Sequence, residues 1–237
     1  MQFDPRLPSN ADEELLDADS TAIISQLDDA GRLARIRAEL DVGFRAMHTL
    51  GPAVSIFGSA RTPPGHPEYA LARETARRLG ETGNAIITGG GPGIMEAANR
   101  GAREAGVTSV GLGIELPHEQ GLNDWVDLAL EFHYFFTRKV MFVRYANAFV
   151  VFPGGFGTLD ELFEAATLVQ TGKIRHFPII LVGSAFWAPM KAWVEEALVG
   201  GGKISAGDDE LLRCTDDIDE VVDVIQRAEY KRPRRAA

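Results

Sequence analysis

At 237 residues, with 45% hydrophobic and 24% charged side chains, the chain is long enough to bury the core of one ordinary globular domain. Its formal net charge of −10 argues against a protein that binds nucleic acid without regard to sequence. The single cysteine, Cys214, excludes an intrachain disulfide, and no apolar run is long enough to span a bilayer. We therefore expect a cytoplasmic protein that binds neither nucleic acid nor a membrane.

The first 50 residues are predicted to form an extension of the main domain. Residues 1–19 are acidic and interrupted by proline, lack the basic and apolar regions of a signal peptide, and are typical of a loose leader. From Ile23 to Met47 apolar residues recur at intervals of three and four, which predicts an amphipathic helix over about 21–47. Gly51-Pro52 marks a boundary, so we expect an extension, 1–50, and a main domain, 51–237.

Short aliphatic or β-branched runs alternate with helical patterns in the main domain. The predicted strands are 53–58, 84–90, 108–114, 128–132, 148–153 and 177–183. The predicted helices are 67–82, 92–105, 137–147, 158–172, 185–199 and 217–229. Apolar strands separated by helices indicate a parallel sheet covered on both faces, the doubly wound α/β class with an N-terminal helical extension. In such sheets ligands bind beyond the carboxyl ends of the strands.

Three predicted strands end in glycine-rich turns at that edge: FGSAR (57–61), TGGGPGIMEAAN (88–99) and FPGGFGTLDE (152–161). Tight turns need glycine for steric reasons alone, but a helix that begins after such a turn can also bind phosphate. Thr158 and Glu161 have the spacing of a capping box, which needs no ligand. The dinucleotide fingerprint is absent, because Ile94 and Asp160 occupy its third glycine position. The P-loop pattern is absent as well, because neither Gly-Lys pair is followed by serine or threonine.

The segment PGGFGTLDE (153–161) resembles the PGGxGTxxE motif of the Lonely Guy (LOG) family, phosphoribohydrolases that release cytokinin bases from riboside 5′-monophosphates and are often labelled lysine decarboxylases. The turn GGGPGIM (89–95) is similar to the family's earlier glycine turn, and Arg138-Lys139 matches its RK pair. The aromatic segment 134–137 replaces the Met-His of short members, so the chain looks like the longer ones. The resemblance implies a Rossmann-like fold and a homodimer or a higher homo-oligomer such as a hexamer.

The resemblance also implies two catalytic residues. Glu161 would orient or deprotonate a water molecule and stabilise an oxocarbenium-like ribose. Arg138 would stabilise the departing base or anchor the substrate, and it would act electrostatically because arginine keeps its proton at neutral pH. Glu96 would contact ribose hydroxyls, or would only complement a helix dipole. The predicted substrate-binding residues are Gly58, Ser59, Gly90, Gly91, Met95, Glu96, Lys139, Gly154, Gly155, Gly157 and Thr158.

The expected reaction is hydrolysis of the N-glycosidic bond of an adenosine 5′-monophosphate, including N6-prenylated forms, to the free base and ribose 5-phosphate. Three alternatives stay open: a broader purine or pyrimidine monophosphate nucleosidase, a non-enzymatic nucleotide sensor, and a NAD-dependent oxidoreductase, which the missing fingerprint disfavours. No lysine has a recognisable pyridoxal-phosphate context. His118 and His133 lack metal-ligand spacing, so neither a metal nor a cofactor is expected. The aromatic residues at 132 and 134–136 could line a base pocket or belong to the core.

Overall fold

The fold is organised around one parallel sheet of seven strands. The computed structural model describes residues 10–16, 27–115, 121–175 and 177–231. The strands are β1 (Ala53–Phe57), β2 (Ala85–Thr88), β3 (Ser109–Ile114), β4 (Leu128–Phe132), β5 (Ala148–Val151), β6 (Ile179–Leu181) and β7 (Leu212–Cys214). Their order across the sheet is β4-β3-β2-β1-β5-β6-β7, and every neighbouring pair is parallel. The predicted doubly wound α/β class is confirmed.

Helices cover both faces of this sheet. They are α1 (Ala11–Leu16), α2 (Asp29–Met47), α3 (Pro67–Glu81), α4 (Ile94–Glu104), α5 (Phe135–Tyr145), α6 (Phe156–Gln170), α7 (Ser184–Trp193) and α8 (Ile218–Lys231). A π-helical segment, Val194–Val199, continues α7, and a 3₁₀ helix, Asp208–Leu211, precedes β7. None of the described helices is both long and apolar enough to cross a membrane.

Two hydrophobic cores lie on opposite faces of the sheet because side chains alternate along each strand. In β1, Ala53 and Phe57 pack with side chains of α2, α5, α6 and α7, whereas Val54 and Ile56 pack with those of α3, α4 and α8. All five residues of β1 are buried. A strand with both faces covered has no position that faces water, and this explains why the strand sequences are almost entirely apolar; in β1 the polar exception is Ser55, whose hydroxyl donates to the Phe142 carbonyl at 3.3 Å.

The strand order reverses between β1 and β5. The chain moves from β1 outward through β2 and β3 to β4, and then returns to place β5 on the other side of β1. The loops that follow these two strands diverge to opposite faces, although the backbone N–H of Ser59 still joins them by donating to the carbonyl of Pro153 at 2.9 Å. Such a reversal leaves a crevice at the carboxyl ends of the strands, which is where ligands bind in this class.

The structure differs from the predicted elements mainly at the ends of the chain. The first long helix begins at Asp29, not near 21, because the side chain of Asp28 caps it by accepting from the N–H of Gly31 at 2.8 Å. Residues 17–26 lie outside the described part. The supposedly loose leader contains α1, and β7 was not predicted because its three residues include an exposed arginine, Arg213. Most other boundaries agree within two residues.

Close packing of α4 on α3 generates a stability prediction. A Cβ added to Gly101 of α4 would overlap the backbone carbonyl of Arg73 in α3. Gly101→Ala should therefore lower the free energy of unfolding by about 1–3 kcal/mol, despite alanine's advantage of about 1 kcal/mol in a helix. Urea unfolding measures this. The control is Gly157→Ala, a helical position with open space around it, which should not destabilise the protein; equal destabilisation of both variants would contradict the packing argument.

Candidate active site

A cavity of about 1040 Å³ lies at the carboxyl ends of the strands, where the strand order reverses. All three glycine-rich turns contribute to its wall, together with the starts of α5 and α6. Nine of the sequence-predicted site residues line it: Gly58, Ser59, Gly91, Met95, Arg138, Gly155, Gly157, Thr158 and Glu161. The structure thus brings together residues that are up to 103 positions apart in the chain, since 161 − 58 = 103.

Glu161 presents a buried carboxyl group to this cavity. The residue lies on the second turn of α6 and is only 5% exposed. Its Oε2 atom has no hydrogen-bond partner among the described residues. Burial raises the pKa of Glu161 to about 7, although Lys139 and Arg138 act in the opposite direction. A carboxyl group with this pKa can exchange a proton near neutral pH, as a general base or acid must.

Arg138 enters the cavity from α5, and two neighbours fix its direction. Its Nε–H donates to the carbonyl of Leu112 at the end of β3, at 2.7 Å. Its guanidinium carbon lies 5.1 Å from the centre of the Phe142 ring, one turn further along the helix. A Cβ on Gly89 would come within 2.5 Å of Nη2, so the absence of a side chain at Gly89 makes room for the arginine. Gly89 was not among the predicted site residues.

The start of α6 forms the wall opposite the first two glycine turns. The helix begins at Phe156 with Gly155 as its N-cap, and no side chain caps it. The predicted capping box is therefore wrong: Thr158 is already inside the helix, and its side chain fills the space where a Cβ of Gly154 would lie. Since the first N–H groups of a helix have no intrahelical partners and carry the positive end of its dipole, this end suits an anion.

The turn after β2 is fixed by a network of asparagine side chains. Asn123 donates from Nδ2 to the carbonyls of Gly90 at 2.9 Å and Gly91 at 3.0 Å, and also to Asn99 Oδ1. At the end of this turn Gly93 has φ +69°, and a Cβ there would overlap the Ser59 carbonyl. The glycine therefore lets the turns after β1 and β2 approach each other closely. The two asparagines gave no recognisable signal in the sequence.

Four predicted substrate-binding residues do not line the cavity: Gly90, Glu96, Lys139 and Gly154. Glu96 accepts a hydrogen bond from the Tyr69 hydroxyl at 2.8 Å. Lys139 joins α5 to α6 through Asp160 at 2.8 Å and Glu164 at 3.1 Å. Burial lowers the pKa of Lys139, but these carboxylates and Glu161 outweigh it, so the pKa is raised. The roles of these four residues in substrate binding stay predictions, because the contacts observed for them are with other parts of the protein.

Several lining residues were not predicted as site residues: Arg61, Glu115, Glu131, His133 and Asp160. His133 is hydrogen-bonded to Glu39 of α2, as expected of a lone histidine, but it also reaches the cavity. Both roles considered for the aromatic residues occur: Tyr134 is buried, Phe132 belongs to the core and also borders the cavity, and Phe135 lines the cavity, whereas Phe136 is exposed and does neither. No group of three potential ligands among the described residues is suited to a metal ion, and His118 lies outside that part of the chain.

Comparison with known proteins identifies the family of this fold and site. A family profile described as "Possible lysine decarboxylase" matches residues 95–225. A Mycobacterium marinum protein named cytokinin riboside 5′-monophosphate phosphoribohydrolase is 30% identical over 162 residues, which cover 67% of this chain and 86% of that protein. The chain belongs to the Lonely Guy (LOG) family. The resemblance stated from its motifs is confirmed.

Other relatives extend the range of LOG-related proteins. An Escherichia coli protein named pyrimidine/purine nucleotide 5′-monophosphate nucleosidase is 31% identical over 131 residues, 49% of this chain and 28% of that protein. The crystal structure of a structural-genomics target is 26% identical and covers 74% of this chain and 99% of its own, with a TM-score of 0.56. The molybdenum cofactor carrier protein of Chlamydomonas reinhardtii, at 22% identity and a TM-score of 0.55, covers 76% and 99% and shares the fold.

The raised pKa of Glu161 predicts a pH-dependent stability difference. The unfolded chain binds this proton with the ordinary pKa of 4.5, so folding takes up a proton between about pH 4.5 and 7, and ionisation at higher pH costs stability. Glu161→Gln cannot ionise, so its free energy of unfolding should exceed that of the wild type by on the order of 3 kcal/mol at pH 8, but not at pH 4.5. Urea unfolding of both proteins at the two pH values measures this. If the difference in the free energy of unfolding between the variant and the wild type is the same at both pH values, burial does not raise the pKa of Glu161 as stated.

Proposed function

We propose that this LOG-family chain hydrolyses the N-glycosidic bond of a nucleoside 5′-monophosphate, with AMP and its N6-prenylated derivatives as the substrate class. The observation that carries the proposal is one cavity that combines the Glu161 carboxyl, whose Oε2 has no hydrogen-bond partner among the described residues, with the Arg138 guanidinium and the start of α6. The printed names of relatives support the same reaction class, since one is a phosphoribohydrolase and another a monophosphate nucleosidase.

The proposed chemistry assigns one task to each part of the cavity. Ionised Glu161 accepts a proton from a water molecule, whose oxygen forms a bond to C1′ of the ribose. The bond between C1′ and the base nitrogen breaks, its electron pair leaves with the base, which takes up a proton from solvent, and Glu161 afterwards releases its own proton to solvent. Before it accepts that proton, the Glu161 carboxylate stabilises the positive charge that develops on the ribose, while Arg138 stabilises the departing base by hydrogen bonding. The products are the free base and ribose 5-phosphate.

The 5′-phosphate would bind at the first turn of α6. Gly155 and Gly157 have no side chains to block the backbone, and their open surroundings leave access to the N–H groups there. A helix N-terminus supplies partial positive charge at contact distance, whereas the protein's net charge of −10 acts mainly from further away and is screened beyond ~10 Å. Arg61, which also lines the cavity, adds a full positive charge.

Two chemical observations help to discriminate among alternatives. The described residues that line the cavity include no lysine, so none of them could form the Schiff base of a pyridoxal-phosphate decarboxylase. The buried carboxyl group of Glu161, whose Oε2 has no hydrogen-bond partner among the described residues, favours catalysis over simple nucleotide sensing, because binding an anion does not require a buried acid. A general monophosphate nucleosidase remains the second candidate, and the name of the Escherichia coli relative favours it.

The proposal includes a homo-oligomer, as the resemblance implies. Phe156 at the start of α6 is 91% exposed, and Phe163 on the same helix borders an adjoining shallow groove. Burial of these two exposed aromatic rings against a second copy would be favourable. A partner at this position would also exclude water from the cavity.

The first test is chromatography after incubation with AMP and with N6-isopentenyl-AMP. We expect free base and ribose 5-phosphate from the wild type, and a loss of at least about 10²-fold in kcat for Glu161→Gln, because the variant cannot accept a proton. Glu164→Gln, one turn further along α6 and outside the cavity lining, is the matched control and should retain turnover. The ratio of the rates with N6-isopentenyl-AMP and with AMP distinguishes cytokinin release from general nucleotide salvage. If the wild type binds both nucleotides but cleaves neither, the proposed hydrolase activity is refuted.

The pH profile tests the role of Glu161 separately. Because the proposed base must be ionised, kcat/KM for AMP should rise with pH through a midpoint near 7 and then level off. Initial rates between pH 5 and 9 at fixed ionic strength measure this. If the rate instead falls as pH rises through 7, the protonated carboxyl group is the active form, and Glu161 acts as a general acid rather than as a general base.

A further inference from the structure

The helix that carries Arg138 begins without acidic support of its own. Tyr134, the N-cap of α5, makes no side-chain cap hydrogen bond, and the first turn contains no acidic residue. Arg138 and Lys139 follow at once, close to the positive end of the helix dipole, where each cation is disfavoured by ~0.3–1 kcal/mol. Negative groups from elsewhere in the chain would therefore stabilise the start of this helix.

Glu39 of α2 supplies such a group. Its side chain is 8% exposed, and Oε1 accepts from the backbone N–H of His133 at 3.2 Å and lies 2.8 Å from Nδ1 of the same histidine. Its Oε2 lies 2.7 Å from the Thr137 hydroxyl, whose single proton can go either to this oxygen or to the Tyr134 carbonyl. One carboxylate thus spans the junction from the end of β4 to the first turn of α5.

A second acidic side chain reaches the same junction. Asp12 of α1 accepts from the backbone N–H of Phe135, the first residue of α5, at 3.1 Å. Burial raises the pKa of Asp12, the hydrogen bond from Phe135 lowers it, and the nearby Glu39 charge raises it. The two carboxyl groups are therefore close enough to interact, and both lie at the positive end of α5.

We propose that Glu39 is a positioning residue for the active site: by holding His133 and Thr137 it sets the start of α5 and thereby the placement of Arg138 in the cavity. Thr137 immediately precedes Arg138, and His133 itself lines the cavity wall. A shift of the first turn of α5 would therefore move the guanidinium relative to Glu161. Displacement of about 1 Å at a reacting centre can reduce a rate by roughly 10²-fold.

The inference rests on the proposed hydrolase function, and the kinetic test compares Glu39→Gln with the wild type. The amide has the size and shape of the carboxyl group but lacks its negative charge, so the start of α5 loses an anion that compensates its dipole. We expect kcat for AMP to fall by about 10- to 100-fold, with KM changed by less than about twofold because the phosphate site on α6 is separate. Asp41→Asn, the same chemical change on the exposed side of α2, is the control and should behave as the wild type.

A readout that needs no turnover separates this proposal from the function. The NMR resonance of the Arg138 Nε–H, which donates to Leu112, should shift in Glu39→Gln but not in Asp41→Asn. If the wild type cleaves no nucleotide, the proposed hydrolase function is refuted, and the Arg138 resonance alone then tests whether Glu39 positions Arg138. If the resonance does not move in Glu39→Gln, the proposal is overturned. If the wild type cleaves AMP and the kcat of Glu39→Gln, corrected for the folded fraction, lies within twofold of it, the proposal is also overturned.

A second variant covers the case in which Glu39→Gln does not fold. Thr137→Val keeps the shape of a fully buried side chain and removes only the hydroxyl that faces Glu39. We expect a smaller fall in kcat, of roughly threefold or more, with KM unchanged and the Arg138 resonance shifted in the same direction. Wild-type kcat and an unmoved resonance in this variant would count against the positioning role.

Discussion

The parallel pairing of β1 with β5 is the constraint on which the site depends. Because β1 has β2 on one side and β5 on the other, the loop after β1 meets the loops after both neighbours, and its residue Ser59 bonds to each of them. The N–H of Ser59 donates to Pro153, and its carbonyl accepts from Ile94 at 3.0 Å. The glycine turns are thereby fixed relative to one another by backbone hydrogen bonds, which do not depend on side-chain identity.

The same arrangement makes the proposed anion site compatible with an acidic protein. Its formal charge of −10 is spread over the whole chain, whereas the groups around the cavity are ordered by fixed elements. Arg138 is held by Leu112 and Phe142, and the start of α6 directs backbone dipoles inward. Local dipoles at contact distance act more strongly than distant charges that water and salt screen. Net charge is therefore a poor guide to the ligand in this protein.

Sequence patterns were sufficient for the sheet and for much of the site, because both depend on local regularities. The strands β1, β2 and β5 are apolar apart from Ser55 and Thr88, and the motifs that carry Arg138 and Glu161 closely follow strands. The capping box was wrong because the glycine-rich turn allows α6 to begin two residues earlier than the pattern of side chains indicated. Short elements such as α1 and β7 depend on tertiary contacts, and no local period reveals them.

The contact between Glu39 and the start of α5 could not be predicted from the sequence. Glu39 and His133 are 94 positions apart, and nothing in the helical period of α2 distinguishes Glu39 from an ordinary exposed acid. The contact becomes meaningful only when α2 is packed on α5, where Gly43 lies against Met141 and the Tyr145 hydroxyl donates to the Phe44 carbonyl at 3.2 Å.

The position of Glu39 also follows from a general electrostatic requirement. An arginine at the start of a helix opposes the helix dipole, so a nearby anion stabilises the helix, yet an anion beside the guanidinium itself would compete with the proposed substrate. Glu39 meets both conditions because it bonds to residues that precede Arg138 on the chain and approaches from α2, outside the lining of the cavity. Glu161, by contrast, lies within the cavity with a pKa of about 7, so its negative charge is only partly present at neutral pH and would repel the proposed phosphate less than a fully ionised carboxylate. In the proposed mechanism the two carboxyl groups therefore have different tasks: Glu39 stabilises the helix that carries Arg138, and Glu161 takes up and releases a proton.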